Sequence, residues 1–340
     1  TPNRGWFIDQ VNELVREHNV TFVASAGNAG PALSTVGAPG GTSSSILAVG
    51  AYVHTSMMPL QYGMAHTPQN NLYTWSSRGP TTDGDLGVNF CAPGGAIAPV
   101  PTSSLVPAMQ MNGTSMASPY ACGAIALILS GLQSEDVSYF PYDVRMALEK
   151  TAQKQNHLDA FSQGHGLIQV TQAFEWLQSQ EQTVSTLGFE IRNLSQSSGR
   201  GILLREAFAT KTPSSHSIRI EPLFPESTEA GSKASFEILA SLNSTADWVQ
   251  FPDSMLIHHN GGKVSVIVDP TKLKPGSHST FISGSDSFTG QAIFRIPINV
   301  IIPHPSVRNA ENQWSQSVTL QPGDITRLFI HPPSWAKWAE

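Results

Sequence analysis

The spacing of apolar positions changes along the chain, and each change marks an element. Phe7, Val11, Leu14 and Val15 recur with His18 at helical spacing, which predicts an amphipathic helix from about Trp6 to His18, stopped by Asn19. Val20-Thr21-Phe22-Val23-Ala24-Ser25-Ala26 is then a short apolar run rich in β-branched residues, closed by Gly27-Asn28-Ala29-Gly30-Pro31, and Ile46 to Val53 is a second such run. Helix, buried strand and Gly-rich turn in succession predict a parallel α/β sheet, whose sites gather beyond the carboxyl ends of its strands. Met57 to Tyr73 has no clear period and reads as a loop or hairpin. From Tyr120 to Ser130 the chain is apolar on nearly every side, which predicts a helix covered all round. Val144, Leu148, Thr151 and Ala152 mark another amphipathic helix, and Gly164 to Val170 leads into a last one near Thr171 to Gln178.

Past residue 182 the pattern turns to strands. Composition shifts at Ser195-Gln196-Ser197-Ser198-Gly199, and 183–200 reads as a linker. Lys263–Val268, His278–Ser283 and Ala292–Ile302 are alternating or apolar runs split by Asp-Pro, Pro-Gly and Ser-Gly turns, the signature of an antiparallel β-sandwich over 201–305. Pro297 inside its run predicts that this strand lies at an edge. Residues 306–340 read as the start of a further, truncated β-rich region. There are no internal repeats.

Composition narrows the function classes. Only 13% of the 340 residues are charged and 40% are apolar, so a large core is expected and disorder is not. A formal charge of −6 gives no basis for nucleic-acid binding. No stretch reaches the roughly eighteen apolar residues of a membrane span. Two cysteines, Cys91 and Cys122, rule out a disulfide framework and suit a reducing, cytoplasmic compartment; Cys122 is expected to be a buried small hydrophobe. Asp83 and Asp85 lack further carboxylates at calcium-loop spacing, so a solvated turn is expected and no metal site. His165, between glycines, reads as a turn residue. The chain starts Thr1-Pro2-Asn3 and is read as a piece of a longer protein.

The chemistry concentrates at Asn112-Gly113-Thr114-Ser115-Met116-Ala117-Ser118-Pro119. Small residues turn the backbone into an apolar helix, and Pro119 is tolerated in the first turn, where its missing N–H leaves no bond unmade. Ser115 then sits at a helix N-terminus, where free N–H groups and the positive end of the macrodipole favour negative charge. That suits a nucleophile whose oxyanion is held by the same N–H groups. Taken singly, a serine there is ordinarily an N-cap, and Asn28 between glycines is ordinary turn chemistry.

The run Gly113-Thr114-Ser115-Met116-Ala117-Ser118-Pro119 closely resembles the serine motif of the subtilisin-like serine proteases. Ala24-Ser25-Ala26-Gly27-Asn28, Ser34 to Gly40, Ser76-Ser77-Arg78-Gly79-Pro80, Ala92-Pro93-Gly94-Gly95 and Gly164 to Val170 are similar to further segments of that family. The resemblance implies an incomplete subtilisin-like α/β domain over 1–182, with Ser115 as nucleophile and Asn28 as oxyanion donor. It implies that Ser25, Ala26, Gly27 and Gly37 wall the pocket for the residue before the scissile bond, and that the Ser76–Pro80 and Ala92–Gly95 segments shape the sheet edge. No cofactor is implied.

A serine needs a base and an orienting carboxylate. In subtilases these precede the serine in the order Asp, His, Ser. Upstream of Ser115 the chain has His18, His54 and His66, none in the family's histidine context, and Asp9 is equally poor as the carboxylate. Both partners are therefore expected before Thr1, and the chain alone is expected to be inert. The wider match, extending to about residue 303, resembles a cytosolic exopeptidase branch of the family that assembles into large homo-oligomers and releases tripeptides from free N-termini of peptides. A subtilisin-like endopeptidase, or a non-catalytic fragment whose β-domain serves assembly, are the alternatives. Of four N-x-S/T sequons, at Asn19, Asn112, Asn193 and Asn243, the one in the serine turn argues against glycosylation.

Overall fold

The computed structural model describes residues 3–180, 188–196, 199–226, 228–304, 315–320, 323–332 and 335. The first part of the chain folds as helices on a small, mostly parallel sheet. Helix α1 (Trp6–Glu17) buries Ile8 and Val11, and these pack with Ile46, Phe22 and Ala24. Strand β1 (Phe22–Ser25) runs parallel to β2 (Ile46–Val53), with Phe22 opposite Ile46 and Ser25 opposite Val49.

The segment expected as loop or hairpin instead forms α2 (Met57–Tyr62), followed by the two-residue β3 (Asn71–Leu72), which is antiparallel to the end of β2. Helix α2 is under two turns long and buries only Met58 and Gln61, too few positions to show a period; Gly63, at φ 62°, ends it in the left-handed region that glycine enters freely. Strand β4 (Phe90–Pro93) completes the sheet, parallel to β2.

Two strands had no counterpart in the sequence pattern. β5 (Gly95–Pro99) and β6 (Ala108–Asn112) pair as an antiparallel hairpin, with Gly95 opposite Asn112. β6 is exposed along its whole length, so no buried face imposed an alternation on it.

Helix α3 (Thr114–Ser134) lies against β1, β2 and β4. Ala117, Ala121, Ala124, Ile125, Ile128 and Leu132 form its buried stripe. The expectation of a helix covered all round is corrected: Tyr120 and Leu127 are 55% and 68% exposed, and Cys122, expected to be buried, is exposed with them. α3 is therefore apolar on a face that nothing among the described residues covers. By length and composition it would also pass for a membrane span. Its packing on the sheet makes it a core helix of the α/β layer. Helices α4 (Pro141–Thr151), α5 (Ala160–Gln163) and α6 (Val170–Ser179) follow, with α6 packed on both α3 and α4.

The later strands form two sheets around one apolar cluster. One sheet has the order β11-β13-β9-β7 and the other β12-β10-β14-β15-β8. Their strands are β7 (Gly188–Asn193), β8 (Ile202–Leu204), β9 (Ser214–Leu223), β10 (Glu237–Asn243), β11 (Val249–Gln250), β12 (Ser254–His258), β13 (Gly262–Val268), β14 (Gly276–Asp286) and β15 (Ala292–Ile302), with the short helix α7 (Ala230–Ala234) before β10. β7 falls inside the stretch read as linker and pairs with β9, so much of that stretch is sheet.

β15 is not an edge strand, contrary to the expectation from Pro297. It pairs with β14 on one side and with β8 on the other, and the β8 pairing is parallel. Pro297 sits one residue before the Ile298–Val300 span that β8 pairs, so its missing N–H interrupts no rung there. Of residues 306–340, those described form no strand beyond a single bridge between His304 and Ile330. They return to the first part of the chain, where Gly323 accepts from Asn71 and Arg327 pairs with Asp159.

Polar contacts join the two parts. The Asp83–Asp85 turn is not solvated: Asp83 and Asp85 grip the buried Arg200 at 2.6 and 2.9 Å, and Arg200 also donates to Gly41 O. Asn299 Nδ2 donates to Gly84 O at 2.9 Å, and Tyr142 Oη to Ile293 O at 2.7 Å. His165, expected as a turn residue, is buried, stacks on Phe281 at 5.3 Å, and lies between Glu149 and Arg295.

Candidate active site

The carboxyl end of β1 and the N-terminus of α3 meet, and this brings Asn28 against Thr114, the residue before Ser115. Gly113 is the residue at the helix cap, so Thr114 and Ser115 are its first two helical residues. The N-cap role that an isolated serine would have is therefore not the one Ser115 holds. Its side chain is exposed, and among the described residues neither its hydroxyl nor its N–H finds a protein partner. That N–H belongs to the first turn of a helix, where no preceding carbonyl is available to it.

Thr114 ties the two segments together. Its N–H and its hydroxyl both donate to Asn28 Oδ1, at 3.0 and 2.8 Å. With Oδ1 accepting both, the orientation of the amide is set, and Nδ2 is the group left to donate outward. The Thr114 hydroxyl also accepts from the N–H of Gly27 at 3.2 Å. Thr114 is fully buried while Asn28 and Ser115 are both exposed, so a buried threonine underlies two exposed polar groups.

The Asn28 loop is held from behind by residues whose part in this the motif alone did not reveal. Ser77 N–H donates to Gly27 O at 2.9 Å, Ser77 Oγ accepts from Ala29 N–H at 3.0 Å, and Gly30 N–H donates to Trp75 O at 2.9 Å. Gly27 has φ +108°, and a Cβ on it would stand 2.9 Å from Ser77 Oγ, so glycine is required on both counts. The Ser76-Ser77-Arg78 segment, expected only to shape the sheet edge, is buried and braces this loop.

The four residues expected to wall a pocket are brought together by backbone bonds. Ala26 continues the sheet by donating to Val49 O, and Gly37 N–H donates to Ala26 O at 3.0 Å. Gly40 lies so close to Ser25 that a Cβ there would be 2.5 Å from Ser25 O. Ser25, Ala26 and Gly27 are consecutive and Gly37 is bonded to Ala26, so the four are neighbours just before Asn28, with Ala26 itself fully buried.

None of the upstream histidines joins the group. His18 caps the end of α1, His54 bonds to Ser56, and His66 lies exposed after α2. Asp9 is exposed in the first turn of α1. Among the described residues no histidine or carboxylate bonds to Ser115, and no cluster of three metal-ligating side chains occurs. A cavity of about 110 Å³ lies elsewhere, between α4 and the second part of the chain, lined by Tyr142, Arg145, Arg200 and Arg295 among others, and does not include Ser115 or Asn28.

Residues 3–166 match the family model for the Subtilase family, and residues 187–301 that for the first Ig-like domain of tripeptidyl-peptidase II. The chain is 44% identical to tripeptidyl-peptidase 2 of Arabidopsis thaliana, over 100% of its own length and 25% of the relative's. To the protein of that name in Drosophila melanogaster it is 40% identical, over 99% and 24% respectively. A crystal structure of tripeptidyl peptidase 2 superposes with a TM-score of 0.74 at 36% identity, covering 89% of this chain and 23% of that one. The chain spans about a quarter of the length of the curated relatives it matches. It belongs to the subtilase family, with a subtilisin-like α/β fold followed by an Ig-like domain, and over its whole length it is similar to tripeptidyl-peptidase 2.

Proposed function

We propose that this chain carries the nucleophile half of a serine peptidase site that releases tripeptides from free N-termini of oligopeptides. Ser115 attacks the scissile carbonyl and forms an acyl-enzyme, which water then hydrolyses. The N–H of Ser115 and the Nδ2 of Asn28 hold the oxyanion, and the surface of Ser25, Ala26, Gly27 and Gly37 receives the residue before the scissile bond. The observation that carries this reading is the double acceptance by Asn28 Oδ1 from Thr114, the residue before Ser115, which leaves Nδ2 as the amide's remaining donor. A base and its carboxylate belong to a part of the protein outside these residues, as does the strand that would pair with substrate. The 340 residues alone are accordingly inert, since loss of the base in subtilisin costs roughly a millionfold in kcat. The uncovered apolar face of α3 would then be covered in the whole protein. The two sheets of the Ig-like domain are read as a sandwich, and the whole protein as a cytoplasmic homo-oligomer that needs no metal or cofactor.

The test uses the full-length protein. A fluorophosphonate is expected to label it, and Ser115→Ala to abolish both labelling and turnover; labelling that persists elsewhere overturns the assignment. Free tripeptide-bearing substrates are expected to be cut, and their N-acetylated forms to resist. Equal cleavage of both makes the protein an endopeptidase. Labelling by no serine reagent at all makes it a non-catalytic relative.

A further inference from the structure

Next to the turn that carries Ser115, two tyrosines form a hydrogen-bonded pair that ends on Asn112. Tyr62 is the last residue of α2, and Tyr73 follows β3. Their hydroxyls lie 2.5 Å apart, and Tyr62 Oη donates to Asn112 Oδ1 at 2.8 Å. Tyr62 has one proton and gives it to Asn112, so the proton between the two phenols comes from Tyr73. The result is a chain of donors, Tyr73 to Tyr62 to Asn112, in which each bond polarises the next. The Tyr73 ring is itself fixed, stacked on Trp75 at 4.7 Å with 19° between the planes.

The hairpin rests directly on this pair. Gly95 stands opposite Asn112 in the β5–β6 register, and a Cβ on Gly95 would fall 2.5 Å from Tyr73 Oη. On the next residue, Gly113 N–H donates to Gly94 O at 2.9 Å. The turn from hairpin to helix is therefore gripped on both sides of Gly113: Asn112 by Tyr62, and Thr114 by Asn28. Ser115 comes immediately after.

We infer that Tyr62, acting through Asn112, is a positioning residue for the nucleophile turn. The inference rests on reading Ser115 as the nucleophile. Freed on the Asn112 side, the turn can pivot about Gly113, and a displacement of about 1 Å at a reacting group can cost on the order of a hundredfold in rate. A purely stabilising tyrosine would instead change the unfolding midpoint and leave the rate of attack alone.

Tyr62→Phe in the full-length protein removes one hydroxyl from a side chain that is 39% exposed and keeps its ring. The expected result is a kcat about tenfold lower, with KM within about twofold and the unfolding midpoint unmoved. Fluorophosphonate labelling of Ser115 should slow by the same factor. Tyr73→Phe should do less, because the Tyr62–Asn112 bond remains. Asn112→Ala should lower kcat as Tyr62→Phe does, and the double variant should fall no further than the lower of the two singles. An unchanged kcat in Tyr62→Phe overturns the inference, as does a raised KM at constant kcat, which would make Tyr62 a substrate contact. Additive losses in the double variant overturn it too. If Tyr62→Phe lowers the midpoint, Asn112→Ala, at an exposed position, reads the same link, and an unchanged kcat there is equally fatal. Labelling that survives Ser115→Ala removes the nucleophile assignment and this inference with it. Labelling lost in Ser115→Ala but undiminished in Tyr62→Phe removes the positioning role alone.

Discussion

Asn28 makes two kinds of bond with one amide. Its Oδ1 accepts from the backbone and the side chain of Thr114, and that commitment leaves Nδ2 as the outward donor. Removing a single oxyanion donor in subtilisin costs about 10²- to 10³-fold in kcat. Asn28→Ala in the full-length protein is therefore expected to lose about that much in kcat with little change in KM, measured on an oligopeptide substrate. The same substitution also leaves the Thr114 hydroxyl without its acceptor, so a modest fall in unfolding midpoint accompanies it. Neither donor to Asn28 could be assigned from spacing, because Thr114 and Asn28 are 86 positions apart and only the fold brings them into contact.

Helix α3 shows how composition and environment can disagree along a single element. Its sequence is apolar on nearly every side, yet the sheet takes only one stripe of it. Stability should follow the contacts and not the composition. Ile128→Ala, on the buried side, is expected to cost about 2–5 kcal/mol in denaturant unfolding of the 340-residue chain. Leu127→Ala, one position away and 68% exposed, should stay within about 0.5 kcal/mol. Comparable losses at both positions would mean that the exposed face is covered in solution. The hairpin β5–β6 makes the complementary point: it has no buried face, yet it leads straight into the turn that carries Ser115.

Across the whole molecule, a buried polar cluster joins the α/β part to the Ig-like domain. Burial raises the Glu149 carboxyl, but Arg145, His165, Arg295 and the Asn89 amide outweigh it and bring the pKa down to about 2. Burial pushes His165 down to about 4, with Arg295 reinforcing it and Glu149 opposing. A guanidinium only donates, so Arg295 makes Nδ1 of His165 the acceptor, and the proton of the neutral ring sits on Nε2, facing Glu149 at 3.4 Å. Both groups bind fewer protons folded than unfolded in acid. Their contribution is whole above pH 6.5, and it is lost for His165 as pH falls from 6.5 to about 4, and for Glu149 from 4.5 to about 2. The His165 share is on the order of 3 kcal/mol. The unfolding midpoint should therefore drop between pH 6.5 and 4, and His165→Gln should flatten that limb. An unaltered slope in the variant would assign the acid sensitivity to other groups.

Local rules made α1, α4 and α6 legible because one face of each is buried and the apolar period records it, and made β2 and β15 legible as apolar runs because they are buried along most of their length. The serine turn was legible for a different reason: a glycine–threonine–serine bend opening an apolar helix is a short-range arrangement, and its residues are contiguous. What the sequence did not reveal depends on contacts across long separations. The Asp83–Asp85 turn and His165 look like solvated turn chemistry until Arg200, Arg295 and Phe281 arrive from the other domain to bury them. Pro297 looks like an edge residue until β8 pairs alongside the strand from the next position onward. Which side of α3 faces the sheet, and that Asn28, Thr114, Tyr62 and Asn112 hold one turn between them, follows from packing. A side chain's type is written locally, but its solvent and its partners are set by whichever segments the fold brings against it.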